Sequence, residues 1–297
     1  MPEAARIRGA TLRDHGGNGP PAVLIPSLIN PPRILDLDGE VSLARAIAAM
    51  GRRVLLLDWG AASERAELDI AGHVEGLLVP LLRALGEPAA LVGYCLGGTM
   101  AVAAAGLVPC EQVVTIATPW HFSRYPERSR SALADIWQGS QGTARALGAL
   151  PMEVLQGAFW SLEPERTVRK FAGFGRLEPS SAKARRFVAL EDWANAGEPL
   201  PYPAAAELLE GMFAQDRPGR GEWTVGGLAI AEQPAVPAVH LLAGRDVIAP
   251  AETAPAGETR TIAAGHVGMV VGSQRARLHA ELAGILQPRL AAPAAGG

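Results

Sequence analysis

The chain has 297 residues, of which 48% are hydrophobic and 19% are charged, as in a packed globular protein and unlike a disordered chain. Its formal net charge of −3 argues against a nucleic-acid-binding surface, which normally needs an excess of basic residues. The sequence has neither an apolar run of the ~20 residues that cross a membrane nor the apolar stretch of a secretory signal near its start, so we expect a cytoplasmic protein without a transmembrane segment.

Short apolar runs alternate with helical patterns along the first part of the chain. Strands are predicted at 22–26, 53–58, 90–93 and 112–117, because each is a short, continuous apolar run. Helices are predicted at 43–50, at 70–85, where Pro80 should introduce a kink, and in the alanine-rich stretch that ends at Gly106. Residues 1–20 are too polar and too rich in glycine and proline to assign. The alternation predicts an α/β protein with a mostly parallel, doubly wound sheet.

The aromatic residues divide the chain. Thirteen of the 15 lie between Trp120 and Trp223, which indicates that 120–223 is a separate unit inserted into the sheet-forming part. After it, strands are predicted at 237–243 and 259–263, followed by a helix at 275–286. The predicted organisation is a core of 1–119 and 224–290, a lid of 120–223 and a mobile tail of 291–297; the alternative is that 120–223 forms a plain second core.

The sharpest local motif is Gly93-Tyr94-Cys95-Leu96-Gly97-Gly98, between a predicted strand and a predicted helix. A nucleophile on a tight strand-to-helix turn needs small residues two positions before it and two after it, and here cysteine stands where the usual Gly-x-Ser-x-Gly pattern has serine. The N-terminus of a helix lowers the pKa of a thiol and so favours the thiolate. The motif predicts that Cys95 is a nucleophile; the simpler alternative is a buried cysteine beside turn glycines.

A nucleophile of this kind is followed in the chain by an acid and then by a histidine. Asp246 comes directly after the strand at 237–243, and His266 comes directly after the strand at 259–263. An aspartate after a strand is often only a turn residue, but the two residues in this order and at these strand ends predict a catalytic set of Cys95, Asp246 and His266. We expect the backbone N–H groups of Leu96 and Leu28 to form the oxyanion hole.

These motifs make the sequence recognisable. The segment Gly93–Gly98 resembles the lipase-like box of the polyhydroxyalkanoate synthases, in which cysteine carries the acyl group. The resemblance extends to Pro26-Ser27-Leu28-Ile29-Asn30 and to the segments around Asp246 and His266, and it covers roughly 22–125 and 235–275. Val247 stands where many synthases have a second histidine, and the segment 120–223 matches poorly.

The resemblance implies an α/β-hydrolase fold with an inserted helical lid, and an acyltransferase that moves 3-hydroxyacyl groups from coenzyme A onto Cys95. His266 would deprotonate Cys95, and Asp246 would orient His266, activate the 3-hydroxyl of the incoming unit, or do both. We expect acyl-CoA as substrate, no other cofactor and no metal. Expected partners are a second copy of the chain, a small synthase subunit or the surface of a polyester granule, and the lid aromatics would form an acyl-binding wall and a dimer contact.

Two other functions stay open at this point. A thioesterase, an esterase or a polyester depolymerase would use the same core and deliver water instead of a hydroxyacyl group; dienelactone hydrolases also have cysteine in this turn. A protein without activity that binds granules or a synthase is a third interpretation, but it would have no need of all three of Cys95, Asp246 and His266.

Overall fold

The computed structural model describes residues 1–162 and 164–287. The tail predicted at 291–297, and the last residues of the predicted core, lie outside the described residues. The strands, in chain order, are β1 (Glu3–Ile7), β2 (Ala10–Asp14), β3 (Pro21–Ile25), β4 (Arg53–Asp58), β5 (Ala90–Tyr94), β6 (Gln112–Ile116), β7 (Ala149–Leu150), β8 (Leu200–Pro201), β9 (Thr224–Val225), β10 (Leu228–Ala229), β11 (Ala238–Ala243) and β12 (Glu258–Ile262).

The α-helices of the described residues alternate with these strands before and after a long helical insertion. They are α1 (Leu43–Ala48), α2 (Ile70–His73), α3 (Val79–Ala84), α4 (Leu96–Ala105), α5 (Glu127–Leu147), α6 (Met152–Leu162), α7 (Pro164–Phe174), α8 (Ala182–Asn195), α9 (Tyr202–Ala206), α10 (His266–Val271) and α11 (Arg275–Leu286). None of the helices in the described part of the chain is long and apolar enough to cross a membrane.

Eight strands form the central sheet, in the order β1-β2-β4-β3-β5-β6-β11-β12. Along the sheet, neighbouring strands are parallel from β4 through β3, β5, β6 and β11 to β12. At the other edge, β2 pairs antiparallel with β4, and β1 pairs antiparallel with β2. The predicted mostly parallel sheet is therefore confirmed. The edge hairpin lies in the first 20 residues, where the sequence pattern allowed no assignment; β1 shows largely exposed side chains, and an edge strand of that kind lacks the apolar run that reveals a buried one.

Each central strand is buried on both faces, as a doubly wound sheet requires. In β3, Val23 and Ile25 belong to one hydrophobic cluster and Ala22 and Leu24 to the other, all with no exposed surface. Helices α3 and α4 cover the first face, and α1, α10 and α11 cover the second. The carboxyl ends of β3, β5, β6, β11 and β12 consequently meet at one edge of the sheet, between two layers of helices.

The helix predicted at 70–85 is divided by a wider turn. Residues Val74–Leu78 form π-helical turns between α2 and α3, and the N–H of Val79 donates to the carbonyl of Val74, five residues earlier. Pro80 has no N–H to donate, and it follows directly after this wider turn, in the first turn of α3. The hydrogen-bond pattern of the helix therefore changes just before the proline.

The segment 120–223 is predominantly helical, and its two ends are fixed in the core beside the sheet. Trp120 and Trp223 are both fully buried and meet edge to face, with their ring centroids 6.1 Å apart. Asp216 joins the two ends as well, because its carboxylate accepts hydrogen bonds from the N–H of Phe122 at 2.7 Å and from the hydroxyl of Ser123 at 2.5 Å. Part of the aromatic content of this segment thus belongs to the core of the sheet.

Candidate active site

Cys95 lies in a strained turn between β5 and α4. Its backbone has φ 57° and ψ −132°, a conformation that residues other than glycine rarely adopt and that persists only when its surroundings impose it. Two hydrogen bonds of 2.9 Å hold it: the N–H of Cys95 donates to the carbonyl of Ile116 at the end of β6, and the N–H of Gly98 donates to the carbonyl of Cys95. The turn presents the thiol side chain above the carboxyl end of the sheet.

The glycines around Cys95 are needed because backbone segments approach them closely. A Cβ atom on Gly97 would lie 2.1 Å from the carbonyl oxygen of Ile25 and 2.6 Å from that of Pro26, at the end of β3. A Cβ atom on Gly93 would lie 2.3 Å from the Cα atom of Gly98. Both distances are far below contact, and the obstacles are backbone atoms. The start of α4 can therefore approach β3 and β5 only with glycine at these positions.

His266 and Asp246 come together as the sequence predicts. His266 is the first residue of α10, directly after β12, and Asp246 follows β11. The Nδ1 atom of His266 lies 2.6 Å from Oδ2 of Asp246, and both side chains are buried. The other carboxylate oxygen, Oδ1, accepts the N–H groups of Ile248 at 2.8 Å and Ala249 at 3.0 Å, so both oxygens of Asp246 are occupied.

The electrostatics of the pair favour a charged imidazole. Burial alone would lower the pKa of His266, but the negative charges of Asp246 and Cys95, together with hydrogen bonds to both side chains, raise it to about 10. The ring of Tyr94 lies against the imidazole, with centroids 5.1 Å apart. An imidazolium beside a cysteine stabilises the thiolate, which is the reactive form. The raised pKa equips His266 to accept a proton from the neighbouring thiol.

The N–H groups of Leu96 and Leu28 are the predicted oxyanion donors, and the structure shows whether each of them already has an acceptor. Leu96 is the first residue of α4, where N–H groups have no partner within the helix. In the loop after β3, the N–H of Ile29 is already bonded to the hydroxyl oxygen of Ser27 at 3.2 Å, whereas no acceptor among the described residues takes the N–H of Leu28 or of Leu96. Leu28 and Leu96 remain the predicted oxyanion donors.

Cys95 lies at the junction of two cavities. The first, of about 760 Å³, is lined by polar groups of Ser27, Asn30, Gln156 and His266 in addition to apolar side chains. The second, of about 690 Å³, is almost entirely apolar, and of Cys95, Asp246 and His266 it touches only Cys95. Ile29 and Ile248 line both cavities and separate them beside the thiol.

The inserted helices close the first cavity. Met152 and Gln156 of α6 and Trp193 of α8 line it, and the indole N–H of Trp193 donates to the carbonyl of Pro31 at 2.9 Å. The side-chain amide of Gln156 donates to the carbonyl of Ala194 at 2.7 Å. No motif in the sequence marks these residues as part of the site. The crowding of aromatics in 120–223 indicates that the segment matters, but it points to no single position.

Three of the five remaining histidines have contacts away from Cys95. His240 pairs with the hydroxyl of Thr115 at 2.9 Å, His121 lies 2.5 Å from Glu232, and His73 contacts Arg65 at 3.1 Å. None of them lines either cavity at Cys95. Among the described residues, no group of three His, Cys, Asp or Glu side chains is arranged to hold a metal ion.

The sheet order, the strained turn and the positions of Asp246 and His266 define an α/β-hydrolase fold, and comparison with solved structures confirms it. The enol-lactonase from Burkholderia xenovorans LB400 is similar, with a TM-score of 0.59 and 18% identity, over 96% of this chain and 99% of that one. A thermophilic esterase from Thermogutta terrifontis is similar with a TM-score of 0.56 and 16% identity, over 95% and 97%. At these identities the likeness concerns the fold alone.

The particular resemblance predicted from the motifs is confirmed too. No family model matches the chain, but it is 25% identical to the poly(3-hydroxyalkanoate) polymerase subunit PhaC of Haloferax mediterranei over 88% of its length, and 25% identical to that of Haloarcula marismortui over 94%. The subunit of the same name from Synechocystis is 24% identical over 86% of the chain and 74% of that protein. The chain spans only 56% and 62% of the Haloferax and Haloarcula proteins.

Replacing Gly97 with alanine tests the close approach at the turn. Because the new methyl group would meet the backbone of β3, we expect Gly97→Ala to lower the free energy of unfolding by about 3 kcal/mol, measured by urea denaturation. The matched control is Gly106→Ala at the end of the same helix, where a Cβ meets nothing nearer than 3.4 Å and φ is −79°. Equal stability of the two variants would contradict this account of the turn.

The two cysteines should differ in reactivity. Cys95 is half-buried beside His266, whereas Cys110 is buried and its burial raises the pKa of its thiol to about 11. With iodoacetamide at pH 7 we expect peptide mass spectrometry to find Cys95 alkylated and Cys110 intact, with Cys110 reacting in the folded protein only as the pH approaches 11. His266→Ala should slow the alkylation of Cys95 about tenfold or more. Equal labelling of both cysteines would disprove the assignment.

Proposed function

We propose that the protein is an acyltransferase of the polyhydroxyalkanoate synthase type, which takes 3-hydroxyacyl groups from coenzyme A onto Cys95 and passes them to a hydroxyl group. The observation that carries the proposal is the position of Cys95, held at φ 57° beside the buried His266–Asp246 pair. Similarity to three PhaC subunits supports transfer as the reaction. Acyl-CoA is the substrate, and the reaction needs no other cofactor.

In the acylation step, the sulfur of Cys95 attacks the thioester carbonyl carbon of the acyl-CoA. The carbonyl oxygen becomes an oxyanion, which accepts hydrogen bonds from the N–H groups of Leu96 and Leu28. The carbon–sulfur bond to coenzyme A then breaks, and the His266 imidazolium gives its proton to the departing thiolate. The products are an acyl thioester on Cys95, free coenzyme A and a neutral His266.

In the transfer step, neutral His266 accepts the proton of an incoming 3-hydroxyl group. The hydroxyl oxygen attacks the carbonyl carbon of the Cys95 thioester, an ester bond forms and the bond to Cys95 breaks, which restores the thiolate–imidazolium pair. His266 lines only the first cavity, so both the departing coenzyme A and the incoming hydroxyl must use that cavity. The same step with water in place of the hydroxyl would make the protein a thioesterase.

The function is tested by incubating the purified protein with 3-hydroxyacyl-CoA thioesters. We expect release of coenzyme A, which thiol titration measures. We also expect formation of oligomeric or polymeric ester, which chromatography of the products detects. Cys95→Ala should release no coenzyme A, and Cys110→Ala, which alters a cysteine outside both cavities, should behave as the unmodified protein. Free hydroxy acid as the sole product would replace transfer with hydrolysis, and no release at all would refute the assignment of Cys95.

Asp246 is proposed to orient His266 and to stabilise its charge rather than to contact the incoming hydroxyl, because both of its carboxylate oxygens are already bonded. Asp246→Asn removes the charge that raises the pKa of His266, so we expect the acylation rate to fall by about 100-fold or more, measured by intact-protein mass spectrometry at short times. Asp58→Asn, at the end of another strand, is the control. Fast acylation of Asp246→Asn followed by a stall would instead assign Asp246 to activation of the hydroxyl.

A further inference from the structure

The apolar cavity beside Cys95 offers room for more than a methyl group. The space free of protein atoms within it, including the part open to solvent, amounts to about 690 Å³. Its lining consists mainly of leucine and aromatic side chains, such as Leu133, Leu155, Leu208 and Phe213. Tyr125 presents its ring there, because its hydroxyl donates to the carbonyl of Ile248 at 2.9 Å. A cavity with so few polar groups holds water poorly and is suited to hydrocarbon.

The direction of the acyl group follows from the position of His266. The imidazole has to reach both the sulfur of the departing coenzyme A and the incoming hydroxyl, and it lines the first cavity and not the apolar one. Because the departing coenzyme A and the incoming hydroxyl both occupy the first cavity, the apolar cavity is the space left for the acyl group on Cys95. The remaining substituent at C3, the alkyl chain, can extend past Ile29 and Ile248 into the apolar cavity.

We propose that the apolar cavity binds the alkyl side chain of medium-chain 3-hydroxyacyl groups and makes the protein selective for them; this rests on the proposed function. The methyl side chain of a 3-hydroxybutyryl group would contact little of this apolar lining. Each methylene added to the chain transfers about 0.8 kcal/mol of apolar group from water, which is up to about a fourfold gain in kcat/KM. The four additional methylenes of a 3-hydroxyoctanoyl group should together favour it clearly.

Leu209 and Phe213 set the length of chain that fits. Both line the apolar cavity, and both also line a neighbouring surface cavity together with Glu127 and Arg130. The far wall of the apolar cavity is thus formed by these two side chains, with charged groups beyond them. Phe213 is held in place by the rings of Phe122 and Tyr125, at centroid distances of 5.0 Å and 4.9 Å, so the wall is rigid enough to select by length.

The test compares the first turnover on different substrates, because coenzyme A release in a single turnover does not depend on what later happens to the acyl group. We expect kcat/KM for 3-hydroxyoctanoyl-CoA to exceed that for 3-hydroxybutyryl-CoA by about tenfold or more. Leu133→Trp, which fills the cavity from α5, should lower this ratio at least tenfold. Leu147→Trp, on the same helix but 65% exposed, is the matched control and should leave the ratio unchanged.

Thermal denaturation of each variant shows whether it is folded, and Leu133→Phe replaces the tryptophan variant if that one is not. Equal efficiency on both substrates would overturn the selectivity proposal while leaving the proposed function intact. Selectivity that Leu133→Trp does not change would overturn the location of the alkyl chain. If Leu133→Trp shortened the polyester without changing the first-turnover ratio, the cavity would hold the growing polymer instead, and the proposal would be wrong. No release from any acyl-CoA would refute the proposed function itself.

Discussion

The close approach of α4 to the ends of β3 and β5 is the constraint on which the candidate site depends. Gly97 brings the first turn of the helix within backbone contact of Ile25 and Pro26, and Cys95 must then adopt φ 57° to connect strand and helix. The same approach brings the free N–H of Leu96 towards the loop that contains Leu28. A single packing requirement therefore places the thiol at one end of a helix dipole, beside the loop that contains Leu28. The strain at Cys95 is offset by ordinary burial in the surrounding sheet.

Burial acts alone on the pKa of Cys110, whereas at His266 nearby charges outweigh it. At Cys110, burial raises the pKa of the thiol to about 11, so we expect it to stay protonated near neutral pH. At His266, Asp246 and Cys95 supply negative charge at short range, and their effect exceeds that of burial, so the pKa rises. The low-dielectric surroundings that would otherwise discharge the imidazole also strengthen its attraction to both partners. At this site the charged groups are buried together, because the strand ends that meet at this edge of the sheet bring Asp246 and His266 into contact.

The parts of the fold that have a local cause were predictable from the sequence. Strand β4 and the mostly parallel sheet follow from continuous apolar runs, and Cys95 follows from its glycines. Asp246 and His266 could be chosen over the other aspartates and histidines because each directly follows a strand, and parallel strands end at one edge. Strand β1 was missed because an exposed edge carries no apolar run. Met152, Gln156 and Trp193 were missed for a different reason: they reach the site through the packing of three helices, and no spacing within one helix encodes that.

The inserted segment contacts both the hydrophobic core of the sheet and the candidate site. Trp120 and Trp223 fix its ends inside the hydrophobic cluster of the sheet, while Trp193 donates to the carbonyl of Pro31 in the loop that contains Leu28. Between these anchors the helices cover both cavities. In the proposed reaction, whether a thioester on Cys95 meets water or a hydroxyl group depends on how well these helices exclude solvent, since Cys95, His266 and Asp246 would act on the two nucleophiles alike. On the same proposal, the core of the sheet would take up the acyl group, and the inserted helices would select the acceptor that receives it and the alkyl chain that fits beside it.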